Sequence, residues 1–361
     1  MKIMCVKAKN QKTIWKRTSS YICRCLILAI LFLNVIGCGK KEIYVEKEDE
    51  PAEILPTIGF SFDSFVIERW QRDRDVFVST AKELGAEVNV QSANGEVEVQ
   101  IEQIEYFIEK NVDAIVIVAT DATALTSTVE KAKKAGIPVI CYDRVILNSN
   151  ADLFISFDNE MVGTLMATSL LDAAGDHAKV VMICGPESDY NVNMVGKGFE
   201  VVAEEKGMEI LGSYHCDGWR AELAYEFIND NFEMIQQADA IMCGNDSLAG
   251  EAIHALAERR LAGEIPVVGQ DAELEACQRV IEGTQLMTVY KPVEILAKTA
   301  AAYAVKLAKK EPLGETGIFF DGTYEIPYVA LEPIKVNKKN MDNVIIDSGF
   351  HLKEDVYLNA K

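Results

Sequence analysis

The chain has 361 residues, 49% of them hydrophobic, and a formal charge of −20 at pH 7; that length allows two domains with full cores. Residues 1–37 hold seven Lys/Arg and no acid, so the remainder stands at −27, which argues against nucleic acid or anionic substrates as partners. Nine Cys without a Cys-x-x-Cys pair, and four His with no two at ligand spacing, argue against a zinc site. Cys141, Cys184 and Cys243 fall in apolar runs and read as buried free thiols rather than a disulfide framework.

The first element is a basic leader, Lys2 to Arg24, followed by a mostly apolar stretch from Cys25 to Ile36. That stretch is too short to span a bilayer, which needs ~20 residues, and has the length of a signal-peptide core. It ends in Val35-Ile36-Gly37-Cys38, which resembles the lipobox of bacterial lipoproteins. Residues 1–37 are therefore expected to be a lipoprotein signal peptide and Cys38 the lipidated membrane anchor. From Gly39 to Pro56 the chain is charged and turn-rich and cannot bury a core. Residues 38–56 read as a flexible tether whose ends lie roughly 20–25 Å apart.

Globular sequence starts with a strand at Thr57–Phe62. A helix carrying Arg69, Trp70, Phe77 and Ala81 follows, then a strand from Glu87 and a helix at Val97–Glu109. Strand 112–118, helix 122–135, strand 137–142 and a strand at Leu153–Asp158 continue the alternation. Beyond it come helix 159–174, strand 179–184, helix 191–206, strand 209–214 and helix 221–236. The chain closes through two further strands, a helix at Val293–Lys309 and a strand-like run at 317–320. Alternating strands and helices imply parallel sheets with right-handed crossovers. The expected class is α/β, two lobes joined by a three-segment hinge. The crossings are placed at Asn159, Lys291 and near Gly317, so that 57–158 plus 292–317 form one lobe and 159–291 plus 318–361 the other.

An internal repeat supports the two lobes. Ile137-Pro138-Val139-Ile140-Cys141-Tyr142-Asp143 has a counterpart in Ile265-Pro266-Val267-Val268-Gly269-Gln270-Asp271. Upstream lie Val112-Asp113-Ala114-Ile115-Val116 and Ala238-Asp239-Ala240-Ile241-Met242, at Asp-to-Asp spacings of 30 and 32. Ligands of such sheets bind outside the carboxyl ends of the strands, where Asp143 and Asp271 belong. Arg69, Trp70, Arg144, Asp189, Asn191, Trp219, Asn245 and Lys291 also follow strands. Each alone could be a cap, a turn or a linker residue. Together they supply forked polar groups for neighbouring hydroxyls and two indoles for the C–H face of a sugar ring, as a neutral monosaccharide requires.

Several runs also resemble the sugar-binding type 1 periplasmic proteins over about residues 57–352. They are Glu68-Arg69-Trp70-Gln71-Arg72-Asp73-Arg74-Asp75, Gln91-Ser92-Ala93-Asn94-Gly95, Tyr142-Asp143-Arg144, Ile155-Ser156-Phe157-Asp158-Asn159-Glu160 and Gly283-Thr284-Gln285-Leu286-Met287-Thr288-Val289-Tyr290-Lys291-Pro292. The resemblance implies two Rossmann-like lobes, one sugar in the cleft and delivery to an ABC importer. It also implies sugar contacts at Arg69, Trp70, Asp143, Arg144, Asp189, Asn191, Trp219, Asn245, Asp271 and Lys291. Tyr190 departs from it, standing where the family has the middle Asn of an Asp-Asn-Asn run; it either narrows the cleft or faces away.

The expected function is lipid-anchored, extracytoplasmic binding of a pentose, D-xylose first, with ribose, arabinose and hexoses open. The expected partner is an ABC permease, or else a membrane sensor kinase to which the protein reports the sugar. No cofactor, metal or nucleic acid is expected. An enzyme is disfavoured because Gly-x-Ser-x-Gly, Gly-x-x-x-x-Gly-Lys and His-Glu-x-x-His are all missing from the sequence.

Overall fold

In the computed structural model, residues 55–359 are described; the expected signal peptide, Cys38 and most of the tether lie outside them. Among the described residues, thirteen strands form two sheets. The first contains β1 (Thr57–Phe62), β2 (Glu87–Ser92), β3 (Ala114–Ile117), β4 (Val139–Tyr142) and β5 (Leu153–Phe157) in the order β2-β1-β3-β4-β5. The second contains β6 (Lys179–Cys184), β7 (Glu209–His215), β8 (Ala240–Cys243), β9 (Val267–Gln270) and β10 (Met287–Tyr290) in the equivalent order β7-β6-β8-β9-β10. All pairings within these two sets are parallel. β3, β4, β8 and β9 are buried throughout, which is why they read as continuous apolar runs instead of alternating ones.

The repeat has a physical basis in both halves. Asp113 accepts from the Thr57 N–H at 2.8 Å, and Asp239 accepts from the Lys179 N–H at 2.9 Å. Each carboxylate thus ties the start of one central strand to its neighbour. The upstream Asp of each copy pins the register of the sheet, and the downstream Asp reaches the cleft.

Three further strands extend the sheets. β11 (Gly317–Phe320) pairs antiparallel with β12 (Glu325–Leu331), and β12 lies parallel to β5, so both belong to the first sheet. β13 (Ile334–Val336) pairs antiparallel with β10 in the second. The expected crossing near Gly317 is therefore corrected: the chain changes lobe at residues 332–333, and 318–331 belong with the N-terminal sheet. The other two changes of sheet fall between β5 and β6, at the helix Asn159–Ala174, and after β10, at Lys291–Pro292. The helix Val293–Ala308 packs on the helix Arg69–Glu83 of the first lobe.

Two helices are shorter than their periodicity predicts. The expected 122–135 begins only at Thr126, because Asp121 accepts from Thr123 N–H and Ala124 N–H and holds a turn there. The expected 221–236 breaks at Asn231 into Glu222–Asp230 and Phe232–Ile235.

The helices Asn159–Ala174 and Tyr190–Lys206 cross in near backbone contact. A Cβ on Gly163 would fall 1.9 Å from the Val195 carbonyl oxygen, and one on Gly198 1.9 Å from that of Glu160. Only glycine permits this approach. The crossing holds the N-terminus of the second helix, with Asp189 and Asn191, against the first hinge segment.

Candidate functional site

The site begins at the two repeated strand ends. Asp143 and Asp271 both have positive φ, 63° and 100°, which side-chain-bearing residues seldom adopt. Their backbones are held alike: Asp143 N–H donates to Ile155 O at 2.7 Å, and Asp271 N–H donates to Val289 O at 2.8 Å. The strain turns each carboxylate out of its sheet and into the space between the lobes. Trp219 at φ 58° closes a short helical turn, Asp217–Trp219. Its indole lies directly on Gly185, where a Cβ would come within 2.3 Å of the ring.

Around these ends a buried charge network is assembled. Arg69 reaches Asp143 at 3.0 Å, Asp73 at 3.0 Å and Asp271 at 4.0 Å. Arg144 reaches Asp63 at 2.6 Å and Asp189 at 2.7 Å. Lys291 comes within 2.7 Å of Asp271 Oδ1, a charge contact not aligned for a hydrogen bond. Asn191 donates to the Asp143 carboxylate at 3.0 Å, and Trp219 Nε1 donates to Asp189 at 3.3 Å. The pairs Arg144–Asp189, Asp143–Asn191 and Arg69–Asp271 each join one lobe to the other, so the cleft is drawn shut.

Burial and charge act against each other here. Burial pushes the Asp143 carboxyl up, but Arg69, Lys291 and Arg144 together hold it below the usual carboxylate range. For Asp189, burial prevails over Arg144 and the carboxyl lies above that range. Burial alone would lower Arg69 and Arg144; their carboxylate partners raise both, so they stay charged. With Asp63, Asp73, Asp143, Asp189 and Asp271 facing two arginines and one lysine, the site disfavours an anionic ligand.

The cavity between the lobes is lined by Arg69, Trp70, Asp143, Arg144, Asp189, Asn191, Trp219, Asp271 and Lys291 among others. About 500 Å³ inside the lining is free of atoms, its mouth included, but only ≈ 30 Å³ admits the centre of a water molecule. Side chains therefore already crowd the closed cleft. Asn245 stands outside the lining and caps the helix Asp246–Ala257, accepting from Leu248 N–H at 2.9 Å. Tyr190 also faces away from the cavity, packed on the apolar cluster that includes Ile146 and Met194. Trp70 is buried beside two guanidinium groups, Arg69 Cζ at 4.4 Å and Arg144 Cζ at 5.6 Å from its ring centroid.

Sequence reading missed several members. Gln270, Asn159, Gly185 and Gly244 also line the cavity. Asn159 donates to Asn191 at 3.1 Å, joining the first hinge segment to the site. Gln270 precedes Asp271 in the repeated strand, and that position was its available signal. The glycines gave none, because their role is to leave room for distant segments, the Trp219 indole at Gly185 and the backbone of Cys184 and Gly185 at Gly244.

Comparison with known proteins places this geometry. The periplasmic binding protein domain matches residues 58–312. The chain is 39% identical over 305 residues to the D-xylose-binding periplasmic protein of Haemophilus influenzae, covering 83% of this chain and 92% of that protein. The same figures hold for the D-xylose-binding periplasmic protein of Escherichia coli. Among solved structures, a carbohydrate transporter solute-binding protein of Chloroflexus aurantiacus in complex with D-glucose superposes with a TM-score of 0.75 at 25% identity, over 82% of this chain and 97% of that one.

Proposed function

The chain belongs to the periplasmic binding protein family in its type 1 form, and from that premise we propose that it binds D-xylose and presents it to an ABC importer while anchored by a lipid at Cys38. One observation carries the sugar reading. Among the described residues, four buried side-chain polar atoms lack a hydrogen-bond partner: Trp70 Nε1, Arg144 Nη2, Gln270 Oε1 and Asp271 Oδ1. All four belong to the lining of the one cavity. Two are donors and two are acceptors, so the fitting ligand both accepts and donates at several points while carrying no negative charge. A neutral monosaccharide does this with hydroxyls alone. Unmatched buried groups are costly in the free protein, and pairing them is affinity available to the ligand.

Closure accompanies binding in this reading. A sugar touching Asp143 of one lobe and Asp271 of the other favours the shut arrangement by its differential affinity for it. Calorimetric titration of the soluble portion, residues 55–361, with a panel of pentoses and hexoses tests the proposal. D-xylose should bind with a dissociation constant on the order of 1 μM or tighter, ahead of ribose, arabinose and the hexoses. Absence of binding to every pentose would overturn it.

The anchor rests on Val35-Ile36-Gly37-Cys38 directly after the apolar stretch ending at Ile36. Acyl chains on Cys38 should hold the protein on membranes at ~0.8 kcal/mol per buried methylene. Fractionation of cells expressing Cys38→Ala should find the protein released from the membrane. If the variant is processed and still tightly membrane-bound, Cys38 is not the anchor.

A further inference from the structure

Gln270 is the one orphan of the cavity that is neither charged nor aromatic. The residue is 5% exposed, and the orientation of its amide is determined by what surrounds it. Nε2 donates to the Gly244 carbonyl oxygen at 2.5 Å. Exchanging the amide oxygen and nitrogen would set two acceptors against each other, so the assignment stands on the hydrogen-bond pattern. Gly244 cannot yield to accommodate the exchange. Its N–H donates to Ile183 O at 2.7 Å, and its Cα lies so close to β6 that a Cβ would meet Gly185 N at 2.9 Å. Gln270 Oε1 is therefore committed as an acceptor, buried and without a partner, beside Asp271 in the cavity lining.

We propose that Gln270 is a ligand-contacting residue: its Oε1 accepts from one hydroxyl of the bound monosaccharide and so discriminates against sugars that lack that hydroxyl. The inference rests on the sugar reading above. A carboxylate at this place would hold its proton partner more strongly, but a neutral amide adds no charge to a site already rich in acids. Its contribution is selectivity. An analogue with hydrogen in place of the hydroxyl leaves Oε1 buried and unpaired, and sites built around a hydroxyl reject such analogues far more sharply than they reject a change in apolar bulk.

The test compares D-xylose with its monodeoxy analogues, each lacking one hydroxyl, on wild-type protein and on Gln270→Met, which keeps the side-chain length but not the acceptor. Wild-type protein should reject one analogue by about 10- to 100-fold. In Gln270→Met the preference for D-xylose over that analogue should shrink about tenfold or more, while preferences over the other analogues persist. A uniform loss for all ligands would assign Gln270 to holding Gly244 alone and overturn the proposal. Should the variant not fold, a crystal structure of wild-type protein with D-xylose decides: a sugar oxygen within ~3.2 Å of Oε1 supports the contact, and a water there overturns it. Failure of wild-type protein to bind any pentose would instead overturn the sugar reading, and this inference with it.

Discussion

Trp219→Ala should weaken D-xylose binding more than about 200-fold, beyond the ~1.5–3 kcal/mol that burying one side chain contributes. Three losses coincide. The sugar loses an apolar platform that closes one side of the cavity. Asp189 loses the indole N–H that donates to it at 3.3 Å, although it is a carboxylate already above its ordinary range through burial. Water enters beside Gly185, and the remaining polar contacts weaken as the local dielectric rises. Of the three Trp in the sequence, Trp15 lies in the expected leader. A chain processed at Cys38 then has Trp70 and Trp219 as its indoles, both in the cavity lining, and its emission should respond to D-xylose. Undiminished affinity in Trp219→Ala, or emission indifferent to every pentose, would remove the stacking role.

Arg144→Met is expected to abolish binding and to cost about 3–5 kcal/mol of stability at neutral pH, because it strips the partner from buried carboxylates. Arg144 pairs with Asp63 in its own lobe and with Asp189 across the cleft, at 2.6 and 2.7 Å. The methionine fills much of the volume but answers neither charge. The pH dependence has a definite sign. Burial already raises Asp189 while Arg144 opposes it, so removing Arg144 raises that carboxyl further. A folded state that binds a proton more tightly than the unfolded chain gains relative stability as pH falls. The deficit of the variant, read from urea midpoints, should therefore shrink between neutral pH and the ordinary carboxylate range. A variant with the wild-type midpoint at neutral pH would show that these ion pairs do not form in the free protein.

Much of the fold was legible because its signals are local. Buried parallel strands need unbroken apolar runs, and Ile137–Tyr142 and Ile265–Gln270 provide them with a proline at the same place. The repeat of Asp113 and Asp143 in Asp239 and Asp271 disclosed two equivalent lobes before any packing was known. The strand ends also pointed to the polar groups of the cleft, since a chain leaving a parallel sheet must present its next side chains there.

Other features are set by partners distant in sequence. Whether β11 and β12 join the first or the second sheet depends on whether β12 finds β5 or some other edge, and Gly317–Leu331 reads the same in either case. Asn245 and Asp189 both precede helices and both cap them, yet Asp189 also meets Arg144 while Asn245 stays outside the cavity lining. Gly185 and Gly244 carry no side chain to read; Gly185 makes room for the indole of Trp219, and Gly244 for the backbone at Cys184 and Gly185. The sequence thus determined the strands, the repeat and the chemistry available at the strand ends, which follow from periodicity and residue type along a few positions. Only the tertiary structure decided which of those groups face one another, where the third crossing falls and which polar atoms are left for a ligand. Those outcomes depend on close packing between segments far apart in the chain.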